Sequence, residues 1–549
     1  MVRHGFYKRI TRLGSGLNGW SVLVLLIALF LLGPFLAILY ETTGDSGGLW
    51  AHLLSTVFPR YVSNTLILML GVSILSLFFG LSSAWLVARV TFPGDKIFEW
   101  LLIVPATVPA YLIAYTYTDF LEFAGPVQAF LRDLFGWQTA RDYWFPEIRS
   151  MGGAILVMSS VLYPYVYLMA RTAFRVTPVS LHDAARLHKP ASLILLDLGL
   201  ARPAIIAGLA LVLMEVVSDF GTVEYFAIET LTLGIFNVWL GMNNLTAAAQ
   251  IAGLSFIFIL GLLFIELKAR SRQRYFDTTL RANQAKKIRT RGWVSVLCFG
   301  ACLLPVTLGF IVPVTVLLQF VLEGYSVTDL NNLVLSGLNS LSVALAAAIC
   351  VMAISVIMVV VVTHKKHRIL KMITAISAMG YAFPGVVLAI GIVSFAGVVD
   401  AGIDNFLRRV LGQQSSGILV GGIGLLIFAY VVRFEAIGYG AVTSGISRVS
   451  PDIINANHLM GRRFTNSLVV LTPILLRKSI ITGGLLVFVD VMKELPITLI
   501  LRPFNYETLA TYVYQFAKDE LLEEAALAGL VIVIVGLGPV LWMNAWQRR

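Results

Sequence analysis

Charge is scarce in this chain of 549 residues: only 13% are Asp, Glu, Lys or Arg, against about 25% in a soluble domain. That shortage excludes an ordinary soluble enzyme. Cysteine is nearly missing too, and Cys298, Cys302 and Cys350 all lie within apolar runs, so no disulfide framework is implied. No Gly-Lys pair occurs anywhere, which removes the Gly-x-x-x-x-Gly-Lys phosphate loop and the usual means of cradling ATP. Histidines are scattered over separate loops (His182 and His188, His364 and His367, His458) and form no metal-ligand set. What is plentiful is apolar surface: 58% of the residues are hydrophobic and the mean hydropathy is +0.85. One soluble core could not hide so much, so lipid must be its solvent. The net charge of +11 does not mark a nucleic-acid binder, because the basic residues fall in the gaps between apolar runs instead of on one face.

A helix needs about 20 apolar residues to cross the hydrocarbon. Twelve segments qualify: Trp20–Tyr40, Leu66–Leu86, Ile97–Tyr117, Gly152–Ala170, Ala204–Tyr225, Ala249–Leu267, Trp293–Phe320, Asn339–Val362, Ile373–Val399, Ile418–Val432, Ile480–Ile500 and Ala525–Trp546. The first follows Arg3, Lys8, Arg9 and Arg12 as a signal peptide would, but it is longer than a signal core and lacks a small-x-small cleavage site, so a retained helix is expected. Placing both termini in the cytoplasm puts 32 of the 41 Lys and Arg residues inside. The basic stretch 268–292 reads as a solvated cytoplasmic linker near anionic headgroups. Between Phe120 and Ser150, mixed charges and aromatics suggest periplasmic helices lying on the membrane surface.

Sliding the chain along itself by half its length aligns distant landmarks. Asn64-Thr65-Leu66 falls on Asn339-Ser340-Leu341, Pro109 on Pro384, Ala114 on Ala389, Arg202 on Arg477, Gly208 on Gly483, and Trp239 on Tyr514. A chance match would not keep its register over such a distance, so the chain is a tandem duplication. Six spans per copy return the chain to its starting side, which gives the copies parallel topology and a pseudo-two-fold axis along the membrane normal. Along the sequence the expected divisions are 1–60 (tail, first span and loop), 61–267 (first core), 268–292 (linker), 293–335 (first span of the second half) and 336–546 (second core).

The longest cytoplasmic loop of each copy follows its fourth span. One reads Leu181-His182-Asp183-Ala184-Ala185-Arg186 and runs to Arg202; the other runs from Asp452 through Asn455-Ala456-Asn457 to Gly461 and on to Arg477. A short helix, a Gly break and a return to the membrane would make a protruding knob. These loops resemble the acidic-Ala-Ala-x-x-x-Gly loop of bacterial binding-protein-dependent ABC importer permeases. In that family the loop is a coupling helix that docks on the ATP-binding subunit. The first copy departs by having Lys189 where Gly is expected, the second by replacing the acid with Asn455, so the knobs are expected to engage their ATPases unequally. The segments Leu213–Phe226 and Asp490–Pro503, with Thr508-Leu509-Ala510 and Glu523-Glu524-Ala525-Ala526, look like the signatures of fused ferric-iron importer permeases.

The resemblance implies an all-α polytopic protein of two tandem six-helix transmembrane domains, with about 12 transmembrane helices. It implies an inner-membrane permease that is not itself an enzyme and binds no cofactor. Two copies of a separate ATPase would use ATP and Mg on the cytoplasmic side, and a periplasmic ferric-iron-binding protein would dock outside. The aligned acids Glu215 with Asp490 and Asp219 with Glu494 are candidates to line the path, since intramembrane acids are costly and a hard cation favours oxygen ligands. The other reading is that Lys493 pairs with one acid and the rest cap helices. No tight metal site is evident. Pro109 and Pro384 interrupt the third span of each copy and are candidate hinges, or ordinary kinks. Thiamine, a polyamine or an organophosphonate would suit the same architecture. A secondary transporter driven by an ion gradient and a non-transporting scaffold stay open as rivals from other classes.

Overall fold

A computed structural model describes residues 19–176, 190–271, 287–323, 330–365, 367–411, 417, 419–450, 453, 457, 459–461 and 464–547. Among the described residues nine helices are long and apolar enough to span a membrane. A tenth span results if the bent pair Asp95–Thr107 and Ala110–Phe135 is taken as one. The sixth and eleventh segments expected from hydropathy are helical as well, at Leu245–Ser271 and Thr472–Met492, but fall outside that count. In the second of these, Arg477, Lys478 and Asp490 interrupt the apolar surface. The chain is thus an all-α polytopic membrane protein, and the one sheet among the described residues is a two-residue parallel ladder joining Val90–Thr91 to Ile288–Arg289.

Two expected spans are broken where a continuous helix was anticipated, and the reason is the same in both copies. Ile97–Tyr117 becomes Asp95–Leu101, a 3-10 turn at Val104–Thr107, and then Ala110–Leu121, with a 91° bend. Ile373–Val399 becomes Arg368–Ser377, a 3-10 turn at Gly380–Ala382, and then Gly385–Leu411. A residue before proline is driven from helical to extended backbone, and Val108 (ψ 125°) and Phe383 (ψ 140°) both comply. The fifth spans also stop early, at Ser218 and Met492, for a reason that lies in the acids described below.

Two compact units divide the chain, and their boundaries do not follow the sequence-order divisions. One holds 45–333 with 509–549, the other 1–44 with 334–508. Hydropathy sets the length of a span but not its neighbours; those are chosen by which surfaces fit. In the second unit, Gly19–Glu41 packs on Gly385–Leu411 and Arg368–Ser377. The backbones come so close that a Cβ on Gly391 would sit 2.4 Å from the Pro34 carbonyl oxygen. In the first unit, Trp293–Leu322 packs into helices of the first copy, and a Cβ on Gly309 would lie 2.1 Å from the Ser160 carbonyl oxygen. The first span of each copy therefore completes the core of the other.

The duplication is visible in matched bonds. Asn64 Nδ2 donates to the Glu229 carbonyl at 3.0 Å in one copy, and Asn339 Nδ2 donates to the Glu507 carbonyl at 3.0 Å in the other. Each ties the second span to the loop that returns after the fifth. A second tie has no twin. Arg89, closing Phe58–Arg89, meets Asp197 of Pro190–Ser218 through Nε at 2.9 Å and Nη2 at 2.7 Å, and Nη2 also reaches the Phe174 carbonyl of Met151–Val176 at 2.5 Å. Three helices are locked by one buried bidentate pair with 8% and 1% side-chain exposure. Arg89→Met strips Asp197 of its guanidinium, and breaking such a pair costs about 3–5 kcal/mol. Thermal denaturation in detergent should register that loss, and Arg89→Met combined with Asp197→Leu should recover most of it.

Candidate translocation site

The four acids aligned by the repeat stand where the fifth spans end. Asp219 Oδ1 accepts from the backbone N–H of Thr222 at 3.0 Å and Val223 at 3.2 Å, and Oδ2 accepts from Thr222 Oγ1 at 3.0 Å. It thereby opens the short helix Gly221–Tyr225. Glu494 does the same for Pro496–Leu501: Oε1 accepts from the Ile497 N–H at 3.2 Å, while its carbonyl accepts from Thr498 Oγ1 at 2.7 Å. A carboxylate that satisfies the first free N–H groups of the next helix ends one helix and starts another. Asp490 pairs with Lys493 at 2.9 Å, and Glu215 is half-buried one turn before Asp219.

In the second copy Glu494 has a further task. Arg433 Nε, from Ile423–Ile446, lies 3.4 Å from Glu494 Oε2, and both side chains are buried. The Pro384–Gly385 corner is pressed against this pair, since a Cβ on Gly385 would come within 2.7 Å of Arg433 Nη1 and 3.0 Å of Glu494 Oε1. Pro384 is thus held at a charged contact, while Pro109 is the extended residue just before Ala110–Leu121. Glu435, two residues after Arg433 on the same helix, is fully buried and accepts from Ser355 Oγ at 2.7 Å. The first copy places Met158 and Ser160 at the positions of Arg433 and Glu435.

A denser polar cluster gathers in the other unit, at the Met151 end of Met151–Val176. Arg149 bridges Glu122 at 2.8 Å and Glu520 at 3.0 Å, and its guanidinium lies 4.9 Å from the Tyr225 ring centre. Glu224 accepts the Tyr514 hydroxyl and pairs with Lys518 at 3.4 Å. Asp119 feels the charges of Glu523, Glu122 and Glu323. Burial, with Glu224 beside it, pushes the Tyr514 phenol above its ordinary range, and burial does the same to Tyr225. Asp119, Glu122, Glu224, Glu323, Glu520 and Glu523 thus gather at this end of the unit, here called the mouth, with Arg149 and Lys518 among them and Arg132 beside Phe123. No sequence motif singles out this cluster: Glu224 and Tyr225 fall inside the segment Leu213–Phe226, and Tyr514 stands out only through its alignment with Trp239. The available signal was the run of hydroxyls at Tyr111, Tyr115 and Tyr117, spaced along one helix.

Of the loop residues, Asp183, Ala184, Ala185, Asn455 and Ala456 lie outside the described residues, as does most of the basic linker, 272–286. Asn457 is buried and donates from Nδ2 to Ser467 Oγ at 2.6 Å. Gly461 adopts φ +77°, the left-handed geometry that a helix stop demands. Among the described residues no group of three or more His, Cys, Asp or Glu is placed to hold a metal.

Fold and site together define a duplicated, helical, multi-pass membrane protein with a charged mouth, the class to which membrane transporters belong. No protein-family model matches the chain. It is 23% identical over 548 residues to the Fe(3+)-transport system permease protein FbpB 2 of Haemophilus influenzae, covering 96% of this chain and 98% of that one. It is also 29% identical over 154 residues to the molybdenum transport system permease protein ModB of Escherichia coli, covering 28% of this chain and 64% of that one. The chain is thus similar to ABC importer permeases, along nearly its whole length in the case of the Fe(3+)-transport permease.

The two caps carry unequal loads. Asp219→Ala removes a helix cap worth about 1 kcal/mol, whereas Glu494→Ala also leaves the Arg433 guanidinium buried without its carboxylate, at about 3–5 kcal/mol. Melting of the two variants in one detergent should show the larger drop for Glu494→Ala.

Proposed function

We propose that this chain is the transmembrane, non-hydrolysing subunit of an ATP-driven importer in a bacterial inner membrane, and that its cargo is ferric iron delivered by a periplasmic binding protein. The acid excess at the mouth carries this reading: Asp119, Glu122, Glu224, Glu323, Glu520 and Glu523 stand against Arg149 and Lys518. A recess lined by one sign of charge raises the local concentration of the opposite ion. Iron as Fe(3+) is attracted, and molybdenum, whose common aqueous form is an oxyanion, is repelled. The full-length likeness to an Fe(3+)-transport permease supports the same cargo.

In this reading the mouth faces the periplasm, and both termini and both knobs face the cytoplasm. The helix Met151–Val176 separates the mouth from the first knob by 26 residues, about 39 Å of rise. Closure of two ATPase subunits would draw the loops around Asp183 and Asn455 together and tilt the helices they carry. The breaks at Pro109 and Pro384 are where such a tilt meets least resistance, because no helical hydrogen bond crosses them. Hydrolysis would reset the permease.

Uptake of radioactive ferric iron by cells should require both the binding protein and an active ATPase, and molybdate should not compete. Uptake that persists with a dead ATPase, or molybdate uptake in place of iron, would overturn the reading. Gly461→Val tests the coupling loop. At φ +77° a Cβ has open space but a strained backbone, at about 1–2 kcal/mol. The variant should insert normally, while uptake per ATP hydrolysed falls about tenfold; unchanged uptake would refute the coupling role.

A further inference from the structure

The mouth holds phenols as well as acids. Tyr115 is 1% exposed, and its ring meets that of Tyr225 edge-on with 4.5 Å between centroids. Tyr111, one helical turn earlier, lies 5.9 Å away. Tyr514 enters from Leu509–Lys518 and gives its hydroxyl hydrogen bond to Glu224, the residue before Tyr225, whose own hydroxyl takes a hydrogen bond from Arg149 Nη2 at 3.4 Å. Three phenols and one carboxylate therefore converge from three separate helices.

The duplication supplies an internal control for what the fold needs. Where the first copy has Tyr111, Tyr115 and Tyr117 after its proline break, the second has Val386, Ile390 and Ile392, and Glu224-Tyr225 is matched by Leu499-Ile500. The helix after Pro384 forms with Val386, Ile390 and Ile392 fully buried at those positions. Packing does not call for hydroxyls at these positions.

We propose that Tyr115, Tyr225, Tyr514 and Glu224 form an oxygen-donor station where ferric iron pauses on entering the membrane domain. This inference rests on the iron reading above. Phenol and carboxylate oxygens are hard donors, suited to a small, highly charged cation. Binding sends the phenol protons to solvent, so the cargo must be acidic enough to displace them, and ferric iron is. Lys518 compensates Glu224 while the station is empty, and with its side chain 62% exposed it is free to swing out when a cation takes its place.

The test uses the full-length chain in lipid nanodiscs, titrated with ferric nitrilotriacetate and read by visible absorption. A phenolate-to-iron charge-transfer band should appear and saturate at a single iron per chain. Tyr514→Phe keeps the ring and should weaken binding tenfold or more, as loss of one supporting oxygen does, with Tyr115→Phe and Tyr225→Phe acting likewise. Tyr117→Phe is the control, because that hydroxyl donates to the Leu308 carbonyl at 2.8 Å and not toward Glu224, and it should leave the band intact. No band in the wild-type chain, or a band untouched by all three substitutions, overturns the station even where cells still import iron. Cells that import no iron overturn the iron reading itself.

Discussion

A charge removed from water must bring a partner with it, and that constraint decides where polar chemistry can sit in this chain. Arg89 and Asp197 meet it deep among three helices, Arg433 and Glu494 meet it against a proline corner, and Arg149 meets it between two glutamates at the mouth. The depth of the partner separates the roles. Arg89 and Asp197 cannot part without stranding a charge, so they hold helices together. Glu224 has a partner in Lys518 that reaches it from solvent and can leave without such a penalty. A displaceable counter-ion is what a transit site needs and what a structural lock must avoid.

Duplication makes the molecule its own comparison. The Asn64 and Asn339 bonds, the extended residues before Pro109 and Pro384, and the caps at Asp219 and Glu494 recur because each copy must solve the same backbone problem. Elsewhere the copies diverge. The phenols and Glu224 belong to one unit, and the Arg433 and Glu435 charges to the other. Features that recur are thus requirements common to both copies, while features that do not, such as the Arg89–Asp197 lock and the phenols beside Glu224, serve one copy alone.

Spans, repeat and family were legible in the residues because each rests on a local or periodic signal: apolar length, register and short motifs. Even the broken third spans had their cause printed in the sequence, as Val108-Pro109 and Phe383-Pro384. The acids were legible as costly and therefore meaningful, but not in their roles. Asp219 and Glu494 read as path candidates or caps, and choosing required knowing where the next helix begins.

The sequence by itself determined that the chain lives in lipid and that it is built twice, because apolar length and repeated register are local or periodic signals. Only the tertiary structure decided which span completes which core and which side chains converge. Gly19–Glu41 packs with residues 334–508, and Tyr514 meets Glu224 across nearly 300 positions of chain. Such pairings depend on the fit of surfaces brought together by folding, and no local pattern along the chain encodes that fit.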